Sequence, residues 1–279
     1  MTRQVGILAK TQSKEALAAA RETYRAVKDS GLTPVPESEL SRTAGLAGGR
    51  PLKRMKVDLL ITLGGDGTVL KAIRDLPNPQ TPILAVNLGR RGYLTEIEPE
   101  DFEKSFTRWL NQDFQIEQQW CVSVSQNGRR IGNCLNEALL LPTVPDKMLS
   151  VDVFQNGRRI IKARADGFMV ASPTGSTAHS FSAGGPVLAT SLDVVALTLI
   201  APLQPVRSLV VPADRKLRVS LEEPGPTATL VMDGNPVKEV RHTQPLEIRK
   251  SSVSARFVRF GDTFLQRSLR RLASERENV

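Results

Sequence analysis

Along the first third of the chain, apolar residues come in short unbroken runs, separated by stretches in which they recur at helical spacing. Val5 to Ala9, Val57 to Leu63 and Ile83 to Asn87 read as buried strands. The Ala-rich stretch from Ser13 to Lys28, the segment Val69 to Leu76 and Asp101 to Asn111 read as helices. Alternation of this kind predicts a parallel sheet flanked by helices. Gly31 to Met55, rich in Gly, Pro and Ser, reads as a mobile connection with a short strand at best. After Phe114 the pattern changes to short extended pieces: Cys121 to Gln126, Arg130 to Leu135, Ala138 to Leu141, Leu149 to Gln155, Arg159 to Ala163 and Gly167 to Ala171. Asn127-Gly128 and Asn156-Gly157 separate consecutive pieces, a strong hairpin signal, so this half is expected to be mostly antiparallel sheet. The two hairpin segments resemble each other, which is weak support for a repeat. A basic amphipathic tail, Leu265 to Glu277, is expected to form a helix that packs back on the first half. The expected domains are therefore 1–113, joined by a tail of about 262–279, and 114–261.

A chain of 279 residues with 40% hydrophobic composition can bury a sizeable core, and two domains are the natural expectation. No stretch approaches the roughly 20 apolar residues needed to span a bilayer. The N-terminal apolar segment is too short for a signal peptide, so a cytoplasmic location with no membrane partner is expected. Two cysteines and two histidines make no structural zinc set, and a disulfide is not expected in a reducing compartment. The net charge of +9 suits polyanions, nucleotides and polyphosphate among them. Much of it is dispersed in pairs such as Arg129-Arg130, and aromatics are only 5%, which gives little support to a nucleic-acid stacking platform.

The candidate chemistry starts at Gly64-Gly65-Asp66-Gly67-Thr68, a glycine-rich turn between an apolar strand and a helix. Free amides at such a turn suit a phosphate. A carboxylate there repels phosphate unless it holds a metal or takes a proton from an attacking hydroxyl, so Asp66 points to phosphoryl transfer. The turn is neither a Walker loop nor a dinucleotide-binding Gly-x-Gly-x-x-Gly. A second cluster runs from Asp166 through Ser172-Pro173-Thr174-Gly175-Ser176-Thr177-Ala178-His179-Ser180-Phe181-Ser182 to Pro186, where small residues would let a flat ligand approach the backbone. Asn136-Glu137 places an amide and a carboxylate at a strand boundary, either to grip sugar hydroxyls or as a structural pair.

Together these segments resemble the NAD kinase family over nearly the whole chain. Asn87-Leu88-Gly89-Arg90-Arg91-Gly92-Tyr93-Leu94-Thr95 and Asp233-Gly234 are further matches. The resemblance implies an N-terminal α/β domain with a Rossmann-like parallel sheet, a mostly-β, sandwich-like C-terminal domain and a ligand crevice between them. It implies Asp66 as the base for the adenosine-ribose 2'-hydroxyl of NAD, Gly67 at substrate phosphates, and Gly64, Gly65, Gly67 and Thr68 as the phosphate loop. Asn136 and Glu137 would bind ribose hydroxyls, and Asp166, with Arg164 nearby, the nicotinamide carboxamide. Thr177, Ala178, His179, Ser180, Phe181 and Ser182 would line an adenine pocket, with Lys71, Lys147, Ala201 and Asn235 at weaker contacts. The donor implied is ATP or polyphosphate with Mg²⁺, no metal ligand being assigned, and the assembly implied is a homodimer or homotetramer. His179 stands where the family has Tyr, Ser172 where it has Thr, and Asn235 where Gln is common. Two alternatives remain: a lipid or sugar kinase sharing the Asp66 turn, and a non-catalytic dinucleotide sensor.

Overall fold

A computed structural model describes residues 2–89, 92–262 and 264–277, with 271–277 as backbone only. Arg90 and Arg91 of the Asn87 to Thr95 segment lie outside the described residues. The elements run β1 (Gln4–Ala9), α1 (Lys14–Asp29), β2 (Thr33–Pro36), α2 (Ser38–Ala44), β3 (Leu59–Gly64), α3 (Asp66–Asp75), β4 (Pro82–Asn87), α4 (Phe102–Leu110), β5 (Gln115–Gln126), β6 (Arg129–Cys134), β7 (Glu137–Pro142) and β8 (Leu149–Gln155). They continue β9 (Arg158–Ala165), β10 (Gly167–Ala171), α5 (His179–Ser182), β11 (Val194–Ile200), β12 (Leu209–Pro212), β13 (Leu217–Leu221), β14 (Ala228–Met232), β15 (Asn235–Val240), β16 (Leu246–Arg259) and α6 (Phe264–Glu277). Two compact units result, residues 1–119 with 254–279, and residues 120–253.

In the first unit β2, β1, β3 and β4 lie side by side as parallel strands, with Ile7 opposite Ile61 and Leu63 opposite Val86. The end of β16 joins them, Phe257 facing Ile83 in parallel. All six residues of β3 are buried, as expected of a strand covered on both faces. Ser13 caps α1 by accepting the Ala16 amide at 3.2 Å, and Ala16, Ala20 and Val27 form its buried face. Phe102, Phe106 and Trp109 of α4 stack in sequence, with ring centroids 5.6 and 5.8 Å apart, and add the aromatic part of this core.

The stretch from Gly31 to Met55 departs from the mobile connection its composition suggested. It forms β2, α2 and a single 3-10 turn at Leu52–Arg54. The helix is short and polar, so no apolar period announces it. It is held instead by Glu37, whose carboxylate accepts the Glu39 and Leu40 amides, by Leu40 and Ala44 buried in the core, and by Gly45 closing it at φ +68°.

The second unit contains the six-stranded antiparallel sheet β12-β11-β10-β7-β14-β15 and the antiparallel ladder joining the first part of β16, β13, β8 and β9, with β5 and β6 paired as a hairpin. Both Asn-Gly pairs turn as expected, with positive φ at Asn127, Gly128, Asn156 and Gly157, the conformation that two-residue hairpins need. A third hairpin, β14 to β15, turns at Asp233 and Gly234 with φ +46° and +75°. Inward residues of the strands, Val122, Leu149, Val151, Phe168, Val219 and Leu230 among them, build one core. Cys121 and Cys134 are both buried.

Candidate active site

In the first unit the strand β3 ends on Gly64, and Gly65 caps α3 without a side chain. A Cβ at Gly64 would lie 2.3 Å from the Thr68 hydroxyl, so the tight return of Thr68 over the strand end requires glycine there. Gly67 is different. It is exposed and an added Cβ would meet nothing within 4 Å, so packing does not demand glycine and the space above it is open. Gly65, at the N-cap of α3, offers no side chain to the first-turn amides, an arrangement that suits an incoming anion.

Asp66 is the first residue of α3, where the sequence pattern had started the helix only at Val69. Its carboxylate accepts the Tyr93 amide at 3.0 Å and the Leu94 amide at 2.8 Å, one on each oxygen. The loop that supplies those amides is itself pinned. Asn87 donates its side-chain amide to Glu98 at 3.1 Å and accepts the Gly89 amide, and Thr95 donates its hydroxyl to the Gly92 carbonyl at 2.8 Å. Gly92 has φ +58°, and a Cβ there would fall 2.6 Å from the Asn87 side chain. Lys71 stands half-buried one turn further along α3.

In the second unit Glu137 opens β7 with Asn136 just before it, and both are buried, at 6% and 9% exposure. The Asp233 carboxylate accepts the amides of Leu135 at 2.7 Å, Asn136 at 2.7 Å and Glu137 at 3.3 Å, fixing this strand start from the neighbouring hairpin turn. Reading the sequence assigned Asp233 no role of its own. The signal was the Asp-Gly dipeptide, a hairpin turn whose aspartate can cap adjacent backbone. Asn235 donates to the Asp233 carbonyl at 2.9 Å. Among the described residues, Glu137 Oε2 is buried and has no hydrogen-bond partner. Burial, helped by the charge of Asp233, pushes its pKa up to about 8, which favours the neutral carboxylic acid.

The segment after β10 packs directly on Asn136. Ser172 donates its hydroxyl to the Leu135 carbonyl, its amide bonds the Asn136 carbonyl at 2.8 Å, and a Cβ on Gly175 would come within 2.1 Å of that same carbonyl oxygen. Ser176 and Thr177 donate to the Pro173 and Thr174 carbonyls, and Ser180 pairs with Thr198 at 3.0 Å. These hydroxyls therefore hold the loop, and those of Ser172, Ser176 and Thr177 have already given their protons to carbonyls. Leu188 anchors the far end of the loop, buried against Ala171 and Ala196, with its amide on the Ser176 hydroxyl at 2.9 Å. Ala178 is half-buried, while His179, Phe181 and Ser182 are exposed on α5 and its edge.

The remaining candidates lie elsewhere in this unit. Glu137 pairs with Ala171 at one end of β10, whereas Asp166 precedes its other end and bonds the Ile200 carbonyl through its amide, beside Ala201. Arg164 joins that end through its carbonyl, which accepts the Leu203 amide, and Lys147 stands exposed just before Leu149, which pairs with Ala165. Thus Asn136, Glu137, Asn235 and the loop through Ser182 form one group, and Lys147, Arg164, Asp166 and Ala201 another. Five wholly buried residues of β10 separate them, roughly 13 Å at strand rise.

Among the described residues no three His, Cys, Asp or Glu side chains converge as a metal site, and no helix is long and apolar enough to cross a membrane. Residues 5–114 match the model of the ATP-NAD kinase N-terminal domain, and residues 135–260 that of the ATP-NAD kinase C-terminal domain. A curated NAD kinase of Methanocorpusculum labreanum is 34% identical over 265 residues, covering 95% of this chain and 97% of its own. A crystal structure of an NAD kinase from Archaeoglobus fulgidus in complex with ATP superposes with TM-score 0.76 at 27% identity, covering 99% of each chain. Yeast NADH kinase complexed with NADH has the same fold, with TM-score 0.87 at 21% identity, covering 98% of this chain and 88% of its own.

Proposed function

This chain belongs to the NAD kinase family, and from that premise we propose that it transfers a phosphoryl group from ATP, or from polyphosphate, to the adenosine-ribose 2'-hydroxyl of NAD, giving NADP. The observation that carries the reading is Asp66, a carboxylate held by two backbone amides at the glycine-capped start of α3. Held in this way it stands at a fixed place beside the glycine turn, where a reacting hydroxyl would meet it. In the transfer, the 2'-oxygen forms its bond to the terminal phosphorus as the bond to the leaving phosphate breaks. The hydroxyl proton passes to Asp66, and no covalent enzyme intermediate is needed.

Gly64, Gly65, Gly67 and Thr68 receive phosphate, with the open space above Gly67 admitting it to backbone distance. Asn136 and Glu137 bind ribose hydroxyls, which give the unpartnered Oε2 of Glu137 its missing bond. Thr177, Ala178, His179, Ser180, Phe181 and Ser182 border the adenine. The chemistry that a bound divalent cation, Mg²⁺ in the first instance, supplies is neutralisation of the donor phosphates. With no cluster of protein ligands among the described residues, such an ion fits as one carried mainly by the donor and by water. Arg164, Asp166 and Ala201, with Lys147, serve the nicotinamide end. The assembly proposed is the homodimer or homotetramer that the family resemblance implies. A cytoplasmic location completes the proposal.

Purified protein with NAD, Mg²⁺ and ATP, coupled to an NADP-specific dehydrogenase, should turn over. Turnover with a diacylglycerol or a free sugar and none with NAD would favour the lipid or sugar kinase, and NAD binding without turnover the sensor.

A further inference from the structure

Outside the candidate site, the first unit buries a four-membered charge network that no step above uses. Arg259, at the end of β16, donates Nε to Glu117 at 2.7 Å and Nη1 to Glu96 at 3.0 Å. Arg267 of α6 pairs with the same two carboxylates at 3.1 and 3.3 Å. The Arg259 side chain is 4% exposed and lies over the Phe257 ring, 4.5 Å from its centroid, and that of Glu96 is 5% exposed. Glu117 and Glu96 also accept the backbone amides of Phe264 and Phe260, so the network ties the end of β16 and the start of α6 to the chain. Burial alone would raise the Glu117 carboxyl, but the Arg259 charge and hydrogen bond, the Phe264 amide and Arg267 outweigh it and hold it below the ordinary range.

Ion pairs this well buried cost desolvation, and replacing them with apolar side chains is often no less stable, so stability by itself is a weak account of this one. Its position offers another. Arg259 Nη1 also reaches the Leu94 carbonyl at 3.5 Å, and Glu96 lies two residues after Leu94. Leu94 and Tyr93 are the residues whose amides hold Asp66. On its other side the same loop is anchored through backbone bonds from Glu96 to Ala85 and between Asn87 and Ile97. The loop is therefore clamped at its base by strand pairing, and beside its amide donors by a buried guanidinium whose five donors are set in a rigid fork.

We propose that Arg259 is a positioning residue for the reaction: by fixing Glu96 and the Leu94 carbonyl, it keeps the Tyr93 and Leu94 amides aimed at the Asp66 carboxylate. This rests on Asp66 as the base. A base displaced by a fraction of an ångström loses rate while ground-state affinity for the dinucleotide is little changed.

The test uses the full chain and four variants, Arg259→Lys, Glu96→Gln, Asp66→Asn and the double variant Arg259→Lys with Asp66→Asn. Lysine keeps the charge and loses the fork. Arg259→Lys should lower kcat about tenfold with KM for NAD within about twofold. On the Asp66→Asn background the same change should produce no further loss, because the route through the base is already gone. Hydrogen exchange should show faster exchange at the Tyr93 and Leu94 amides. If Arg259→Lys does not fold, Glu96→Gln carries the same expectations in direction, with a smaller fall in kcat. An unchanged kcat, a KM rise that matches the loss, or an equal loss with Asp66 already replaced would overturn the proposal. Failure of the base assignment shows separately, as Asp66→Asn retaining more than a tenth of kcat.

Discussion

Two acidic side chains, one at the head of α3 and one at the head of β7, stand in opposite conditions. Asp66 is completed by the protein, with a backbone amide on each oxygen. Glu137 is buried, keeps one oxygen without a partner, and is raised to about 8 by burial and by Asp233. In the proposed reaction the first arrangement orients the base, and the second leaves Glu137 open to a ligand hydroxyl. Asp233 belongs with Asp66 in kind, since three backbone amides hold it, and its work is to shape the strand start on which Glu137 sits.

If the contrast is real, the largest effect comes from the oriented group. Asp66→Asn is expected to lower kcat by about 10² to 10⁴ while leaving KM for NAD nearly unchanged. Steady-state kinetics at saturating donor check this, and more than a tenth of the normal kcat would remove Asp66 as the base.

Next comes the scaffold of the waiting group. Gly175→Ala places a Cβ 2.1 Å from the Asn136 carbonyl oxygen, a backbone atom that cannot yield cheaply. A loss of about 1–3 kcal/mol and weaker NAD binding are expected, read by denaturant unfolding and calorimetry. Wild-type stability in the variant would mean that the Asn136 segment is softer than its contacts suggest.

Asp233→Asn leaves one acceptor oxygen for amides that now share two. It should cost about 1–3 kcal/mol, again by denaturant unfolding, and raise KM for NAD more than it lowers kcat. Loss of kcat alone would move Asp233 into the company of Asp66 and blur the distinction.

Glu137 gives the contrast a pH dependence. The folded protein holds a proton on Glu137 that the unfolded chain releases near the ordinary value of 4.5, so stability should fall as pH rises from there and level off above about 8. The span should be on the order of a few kcal/mol, and Glu137→Gln should flatten it. Unfolding curves between pH 5 and 9 decide the matter, and an unchanged slope in the variant would show that Glu137 is ionised in the fold. The smallest effect expected is at His179, exposed on α5, where the family's tyrosine should change KM for NAD by no more than about threefold. A larger shift would mean that α5 contributes more to binding than its exposure suggests.

Much of this was legible before any coordinates. The glycine turn after an apolar run, the Asn-Gly hairpins, the Ala-rich helix from Ser13 and the basic tail helix are each encoded within a few neighbouring residues, in backbone preference and periodicity. The short helix α2 was not, because its sequence is polar and its stability comes from Glu37 capping and from burial of Leu40 in a core built elsewhere. The hydroxyls from Ser172 to Ser180 were legible as a cluster, but their engagement with carbonyls of the loop and with Leu135 and Thr198 was not.

The sequence by itself thus determined the class of each half, the family and the place of Asp66 between a strand and a helix, since all of these rest on local pattern and order. Only the tertiary structure decided which groups complete each acid. Asp66 takes its amides from 27 and 28 residues away, Asp233 reaches 98 residues back to Leu135, and Arg259 meets Glu96 across 163. Hydrogen-bond partners and burial are set by which segments the fold brings together, and no local preference specifies that.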